Sequence, residues 1–409
     1  MNAWRDRLPA YAGFGAVLSA AGLPIYIYAP KYYADTYGVS LTALGAILFG
    51  LRLFDVVQDP VLGWISERLT KGKAAIISAV ALLLALSMIG LFAVPPPINP
   101  AIWFAITIAG LFSAFSFLTI NFYAQGVMKA GPTGQVRLAA WRETGALLGV
   151  CIAAVAPTVL IDLSDDPFGV FAYGFAAATL AATLFIWPEW TGRTTAEPAH
   201  IRNIIADPLT RRLLILALVN ATPLAVSSTL FLFFVEARLD GSGWEGPLLV
   251  LFFLAAAIFA PLWSVAATRW GEKRVLLVAM VLAIIAFGST ASLGAGDAGL
   301  FAVICVVSGA TIGADLTLLP AMFARRMAQV SPNGGQGFGL WSLVSKFTLA
   351  FAAVLLLPLL ERAGFSAGTA PQPASALTTL TLLYAVLPIL LKVAAIALLA
   401  STDLETTDD

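Results

Sequence analysis

The sequence predicts an all-α integral membrane protein of twelve transmembrane helices, arranged as two pseudo-symmetric halves of six. Three observations carry that expectation: the composition, the recurrence of apolar runs of spanning length, and an internal repeat. Of 409 residues, 60% are hydrophobic and 11% charged, and the mean hydropathy is +0.90. So few charges cannot clothe a water-exposed surface, whereas apolar runs of about 20 residues match the hydrocarbon thickness of a bilayer. The formal net charge is zero, so no bulk attraction to nucleic acid is implied. Cys151 and Cys305 each sit inside apolar runs, which argues against a disulfide framework or a thiolate metal site. His200 lies in a polar loop, where solvation accounts for it. No phosphate loop, dinucleotide glycine pattern, elbow serine or histidine metal site is present, so neither an enzyme nor a cofactor is expected.

The spans follow in order near residues 10–34, 41–66, 74–95, 100–127, 137–160, 168–188, 212–236, 247–268, 275–293, 298–324, 337–361 and 376–401. The first follows Arg5 and Arg7 and is too long for a signal-peptide core, which makes it an uncleaved span. Spans 2 and 8 each close on a basic turn, span 3 runs into Pro95, Pro96 and Pro97, and the others stop at comparable Gly, Pro or charged clusters. The longest polar stretch, residues 189–212, falls in the middle. It divides the chain into an N-terminal half over 1–190, a central loop over 191–211 and a C-terminal half over 212–409.

Lys and Arg set the orientation. One side holds Arg5, Arg7, Arg68, Lys71, Lys73, Lys129, Arg137, Arg193, Arg202, Arg211, Arg212, Arg269, Lys273, Arg274, Arg325 and Arg326; the other holds Lys31, Arg238 and Arg362. The reading is a multi-pass protein of the cell inner membrane with both termini cytoplasmic, functional as a monomer within the lipid bilayer.

The repeat superposes DPVLGWISERLTKGK, residues 59–73, on APLWSVAATRWGEKR, residues 260–274. Pro60 matches Pro261, Arg68 matches Arg269 and Lys73 matches Arg274. Two parallel six-helix halves with paired basic turns resemble the major facilitator superfamily, whose halves rock about a midplane site.

The same register isolates three charges in span 2. Arg52, Asp55 and Asp59 align with Phe253, Ala256 and Ala260, so this architecture builds a second span without them. Each charge at bilayer depth costs at least about 2.5 kcal/mol. Arg52 and Asp55 can neutralise one another at i, i+3, but that leaves Asp59 unexplained. Asp55 and Asp59 stand one turn apart on one helix face. Two carboxylates against one guanidinium leave a local charge of minus one, which suits one monovalent cation, either sodium or a proton.

These residues carry a closer resemblance. Arg52, Asp55, Asp59, Pro60, Gly63 and Trp64 form R-x-x-D-x-x-x-D-P-x-x-G-W, which resembles the span 2 signature of the glycoside-pentoside-hexuronide cation symporters, the melibiose-permease-like family. The segment KYYADTYGVS, residues 31–40, resembles the same family's aromatic turn. The resemblance implies that Asp55 and Asp59 bind the coupling ion, with oxygen donors at Gln58 and Ser116. It places the family's span 11 lysine on Lys346 and its span 5 arginine on Arg142, and the aromatic that stacks on the sugar on Tyr123. The two acids that hold the sugar fall on Ser19 and Thr119, so the coupling chemistry is kept and the sugar chemistry is not.

Other polar residues lie at depth. Arg142 and Lys346 occupy comparable places in spans 5 and 11, where they can anchor an anion or pair with Asp55, Asp59, Glu143 or Asp315. Asn121, Tyr123 and Gln125 in span 4, with Asn220, Thr222, Ser227 and Ser228 in span 7, can line a cavity or bond to their own helix backbones. Lys392 in span 12 reads as a snorkelling lysine. The expected function is Na+- or H+-coupled symport of a small solute, a sugar or glycoside, by alternating access. The alternative is the same fold carrying an anionic or amphipathic solute, or a proton-driven exporter.

Overall fold

The computed structural model describes residues 7–22, 28–69, 72–161, 163–190, 200–365 and 372–403. The basic residues Arg5, Lys71 and Arg193 lie outside the described residues, as do residues 191–199 of the central loop. The described chain is helical almost throughout: α1 (Leu8–Ala20), α2 (Ala29–Tyr37), α3 (Leu41–Arg68), α4 (Lys73–Phe92), α5 (Pro100–Ile161), α6 (Pro167–Trp190), α7 (Ile201–Ala206), α8 (Pro208–Phe233), α9 (Glu245–Trp270), α10 (Glu272–Gly288), α11 (Ala298–Val330), α12 (Gly335–Arg362), α13 (Ala374–Thr381) and α14 (Leu387–Ala400).

Among the described residues, ten stretches are long and apolar enough to cross a membrane, and they coincide with spans 3 to 12. Span 1 corresponds to α1 and α2, and span 2 to α3, whose 28 residues suffice to cross but carry Arg52, Asp55 and Asp59. Spans 4 and 5 form one run, α5, whose arms Pro100–Gly131 and Thr133–Ile161 meet where Gly131 adopts φ 61°, ψ −174°. Only glycine takes that conformation without strain, so the polypeptide turns there with no intervening loop. Gln135 closes the corner by donating through Nε2 to the carbonyls of Gly126 at 3.1 Å and Gly131 at 2.9 Å.

The chain forms two compact units, Met1–Ile204 with Ala324–Leu343, and Ile205–Phe323 with Val344–Asp409. The division at Ile204 falls in the expected central loop. The addition of Ala324–Leu343 to the first unit departs from the simple halves, and its cause is the contact of α3 with the start of α12 described below.

Within the first unit, α1 packs on the second arm of α5 through small residues. A Cβ on Gly145 would lie 2.0 Å from the Ala12 carbonyl oxygen, and one on Gly149 would lie 2.0 Å from that of Ala16. Small residues at i, i+4 let helix backbones approach where no hydrophobic effect drives them together. An aromatic cluster including Tyr33 and Phe104, with ring centroids 4.9 Å apart, closes the other end. In the second unit, Gly309 and Gly313 play the same part, with prospective Cβ positions 2.2 Å and 2.8 Å from the carbonyl oxygens of Phe252 and Ala256. Phe234 stacks on Tyr384 at 4.1 Å. The outward surface is apolar: Leu184 is 72% and Val265 67% exposed, an arrangement that lipid satisfies and water would not.

The glycine packing makes a direct prediction. Gly145→Val inserts atoms where the Ala12 backbone stands, and overpacking of this kind costs about 1–3 kcal/mol or more. The thermal unfolding midpoint in detergent should fall clearly for Gly145→Val and stay near the parent for Gly13→Ala, since a Cβ at Gly13 meets nothing within 4 Å. Equal midpoints for the two variants would show that this helix contact is looser than the packing implies.

Candidate functional site

The helix that carries the signature is started by Ser40, whose Oγ accepts from the Ala43 amide at 3.2 Å. Pro60 sits inside it, which removes the N–H that would otherwise bond the Val56 carbonyl, one residue beyond Asp55. Asp55 is 2% and Asp59 0% exposed, and Ser116 is fully buried.

Two hydrogen bonds set α3 in register with the first arm of α5. Gln58 Nε2 donates to Ser113 Oγ at 2.7 Å, and Ser66 Oγ donates to Asn121 Oδ1 at 2.8 Å. The two rungs are eight residues apart on each helix, so the helices run parallel, and Ser116 falls between the rungs, close to the level of Asp59. With its amide nitrogen given to Ser113, Gln58 presents a buried carbonyl oxygen, Oε1, that receives no hydrogen bond among the described residues. The Arg52 guanidinium lies 5.7 Å from the centroid of the Phe112 ring.

The adjoining flank of α3 meets the start of α12. Asp59, Gly63 and Glu67 form a stripe at i, i+4, i+8 against Ser342, Gly339, Gly335 and Gln336. Ser342 Oγ donates to Asp59 Oδ2 at 2.6 Å. Glycines make the approach possible: a Cβ on Gly63 would lie 2.7 Å from the Gly335 carbonyl oxygen, and one on Gly339 would lie 2.9 Å from that of Asp59. At the far end, Glu67 Oε1 accepts from Ser331 Oγ at 2.9 Å and from the Gln336 amide at 3.0 Å, while Oε2 accepts from Gln336 Nε2 at 3.1 Å. A carboxylate there satisfies an unmet amide in the first turn of α12 and opposes the positive end of its dipole. Neither Ser342 nor Glu67 stood out in the sequence, although Ser342 lies one turn before Lys346 on the same helix face.

A second cluster lies in the same unit. Arg142 donates through Nε to Glu143 Oε1 at 2.8 Å, and Tyr123 donates its hydroxyl to the same oxygen at 2.7 Å. The guanidinium also stacks 3.5 Å from the Tyr123 ring centroid. Arg142 Nη2 remains buried with no acceptor among the described residues. Asn121 gives its other end to the Phe117 carbonyl at 2.8 Å, and Gln125 donates to the Glu189 carbonyl at 2.5 Å, so both amides hold helices together. Thr119 has a buried hydroxyl oxygen without a hydrogen-bond partner among the described residues, and Ser19 is half-buried near the end of α1.

In the second unit, Lys392 does not snorkel. It is 6% exposed and its Nζ donates to Asn220 Oδ1 at 2.7 Å and to Asp315 Oδ2. The α14 face bearing Lys392 turns toward α8 and α11, where a carboxylate and an amide receive it, so the charge is neutralised inside the bundle. Asp315, itself 6% exposed, keeps Oδ1 without a hydrogen-bond partner among the described residues. Thr222 and Ser227 bond to the carbonyls of Leu218 and Pro223 on their own helix. Lys346 is buried on α12.

A polytopic helical bundle that buries charges between its spans is the architecture of a membrane carrier. Residues 9–406 match the family described as MFS/sugar transport protein, and the chain belongs to that family. Solved structures share the fold. The human organic anion transporter MFSD10 (TETRAN) is 17% identical, with TM-score 0.66 over 95% of this chain and 99% of that one. A bacterial homologue of the iron transporter ferroportin, in an outward-facing state, is 13% identical with TM-score 0.67 over 97% and 100%. The E. coli fucose:proton symporter FucP is 14% identical with TM-score 0.64 over 95% and 98%. The chain is thus a multi-pass transporter of the major facilitator type.

The Lys392 pair separates breaking a buried ion pair from replacing it. Asp315→Asn leaves the ammonium without its carboxylate and should destabilise by about 3–5 kcal/mol, whereas Asp315→Asn with Lys392→Met removes both charges at little net cost. Thermal unfolding in detergent should show a large drop for the single variant and recovery in the double. Equal drops would mean that the pair's geometry, not its charge, holds the three helices.

Proposed function

We propose that the protein is a cation-coupled symporter of a small solute, with the coupling ion, sodium or a proton, held by Asp55 and Asp59 in the inner membrane and both termini in the cytoplasm. The observation that carries this reading is a cluster of oxygens on α3: two buried carboxylates one turn apart and the Gln58 carbonyl oxygen, which receives no hydrogen bond among the described residues, with Ser116 close to their level on α5. An ion or proton relieves the mutual repulsion of the carboxylates, and either serves the geometry. Sodium takes oxygen donors of this hard type. Ion and solute would then strengthen each other's binding by equal factors. No prosthetic group is required, and one chain in lipid suffices.

The solute in this reading is a sugar or glycoside, and the family's description as sugar transport proteins supports a sugar. A second reading, an anionic or amphipathic solute, is favoured by Arg142, whose buried Nη2 has no acceptor among the described residues. The replacement of two sugar-holding acids by Ser19 and Thr119 supports it as well. Export driven by protons follows the same chemistry with the opposite direction. The cargo named for each structural neighbour belongs to that neighbour, because identities of 13–17% carry the fold alone.

In proteoliposomes, Asp55→Asn and Asp59→Asn should each abolish accumulation driven by a sodium or proton gradient, while membrane insertion is unchanged. Accumulation at the parent level by either variant would remove the ion from this site. A thermal-shift screen of neutral glycosides, carboxylates and lysolipids, with and without sodium, should show sodium-enhanced stabilisation by a glycoside. A response confined to anions, lost in Arg142→Gln, would establish the second reading instead.

A further inference from the structure

We infer that Ser342 is a residue of the cation site, supplying from α12 an oxygen that α3 cannot provide for itself, so that an alkali cation bound at Asp55 and Asp59 also ties α12 to α3. This rests on the alkali-cation form of the reading above.

Asp55, Gln58 and Asp59 all project from one helix, so they approach an ion from one side. A bound sodium or lithium ion then needs oxygens from neighbouring helices to complete its shell. Ser116 comes from α5. On the adjoining flank, Ser342 Oγ stands 2.6 Å from Asp59 Oδ2. The glycine contact explains why a short hydroxyl reaches that far: at Gly339, one turn before Ser342, the α12 backbone comes so close that a Cβ would lie 2.9 Å from the Asp59 carbonyl oxygen.

A hydroxyl suits both states of such a site. Donating to Asp59, it stabilises the carboxylate while no ion is bound. Rotation about the Cβ–Oγ bond turns a lone pair to an arriving cation without moving the backbone. The exchange of a donated hydrogen bond for an ion contact couples occupancy to the seating of α12.

The test measures the sodium and lithium dependence of thermal stability in detergent, with choline chloride holding ionic strength constant. Ser342→Ala should raise the sodium midpoint about tenfold or more, as loss of an ion-orienting group typically does. Ser342→Thr keeps the hydroxyl and should bring the midpoint back near the parent. The ratio of lithium to sodium midpoints should change in Ser342→Ala as well, which a merely structural role would not cause. If Asp59→Asn abolishes the sodium response while Ser342→Ala keeps the parent midpoint, Ser342 is not in the site and the carboxylate reading stands. A lower midpoint in Ser342→Ala would show that the hydroxyl competes with the ion, which also overturns the proposal. No response of the parent protein to sodium or lithium beyond choline would overturn the alkali-cation reading together with it.

Discussion

The constraint on which the rest of the structure depends is the cost of an unmatched polar group in a chain that is 60% hydrophobic. A charge or amide inside such a bundle needs a partner, and its own helix seldom offers one. The partner comes from the next helix, and the pair then dictates which faces meet. Glu189 at the end of α6 receives the Tyr11 hydroxyl from α1 at 3.1 Å and stands 4.0 Å from Lys129 on α5. Glu67 holds the first turn of α12, and the Gln58 and Asn121 amides set α3 in register with α5. Polar groups therefore specify the arrangement of helices, while the apolar residues supply the bulk of contact and the lipid-facing surface.

Glycine makes that specification geometrically possible. A hydrogen bond between short side chains on two helices requires backbones closer than leucine-to-leucine packing permits. At Gly63, Gly335 and Gly339 the backbones of α3 and α12 nearly touch, and the same stripe bears the Asp59–Ser342 and Glu67–Gln336 bonds at its two ends. In the second unit, Gly309 and Gly313 bring α11 against α9 in the same way. Ser342 and Gln336 reach their carboxylates because the spacing was set by residues with no side chain.

Much of this was legible from the sequence, and the exceptions share one cause. Spans 3 to 12 follow from hydrophobic length alone, because the bilayer imposes it. Asp55 and Asp59 stood out because the repeat supplied an uncharged counterpart at Ala256 and Ala260. The rotation of each helix about its axis was not legible. Lys392 was read as snorkelling since helix length says nothing about which face turns inward, and its partners Asn220 and Asp315 are 172 and 77 residues away. Likewise Tyr123, read as an aromatic surface for a sugar, has its ring covered by the Arg142 guanidinium and its hydroxyl given to Glu143. The turn at Gly131 was hidden because hydropathy marks span centres and not the φ of a single glycine.

The two units treat buried charge differently, and the difference bears on coupling. In the second unit Asp315 and Lys392 close a neutral pair, with Asn220 as a further acceptor for the ammonium, so an added cation would be repelled by a lysine already in place. On α3, Asp55 and Asp59 follow Arg52 within two turns, and Asp59 accepts from the neutral Ser342 hydroxyl of α12. A neutral hydroxyl can donate to a carboxylate or accept an ion, whereas a lysine can only donate. Where a hydroxyl borders a carboxylate it exchanges roles by rotation, donating in one state and accepting in another without moving the backbone. The Asp315–Lys392 pair, with Asn220, holds α8, α11 and α14 together.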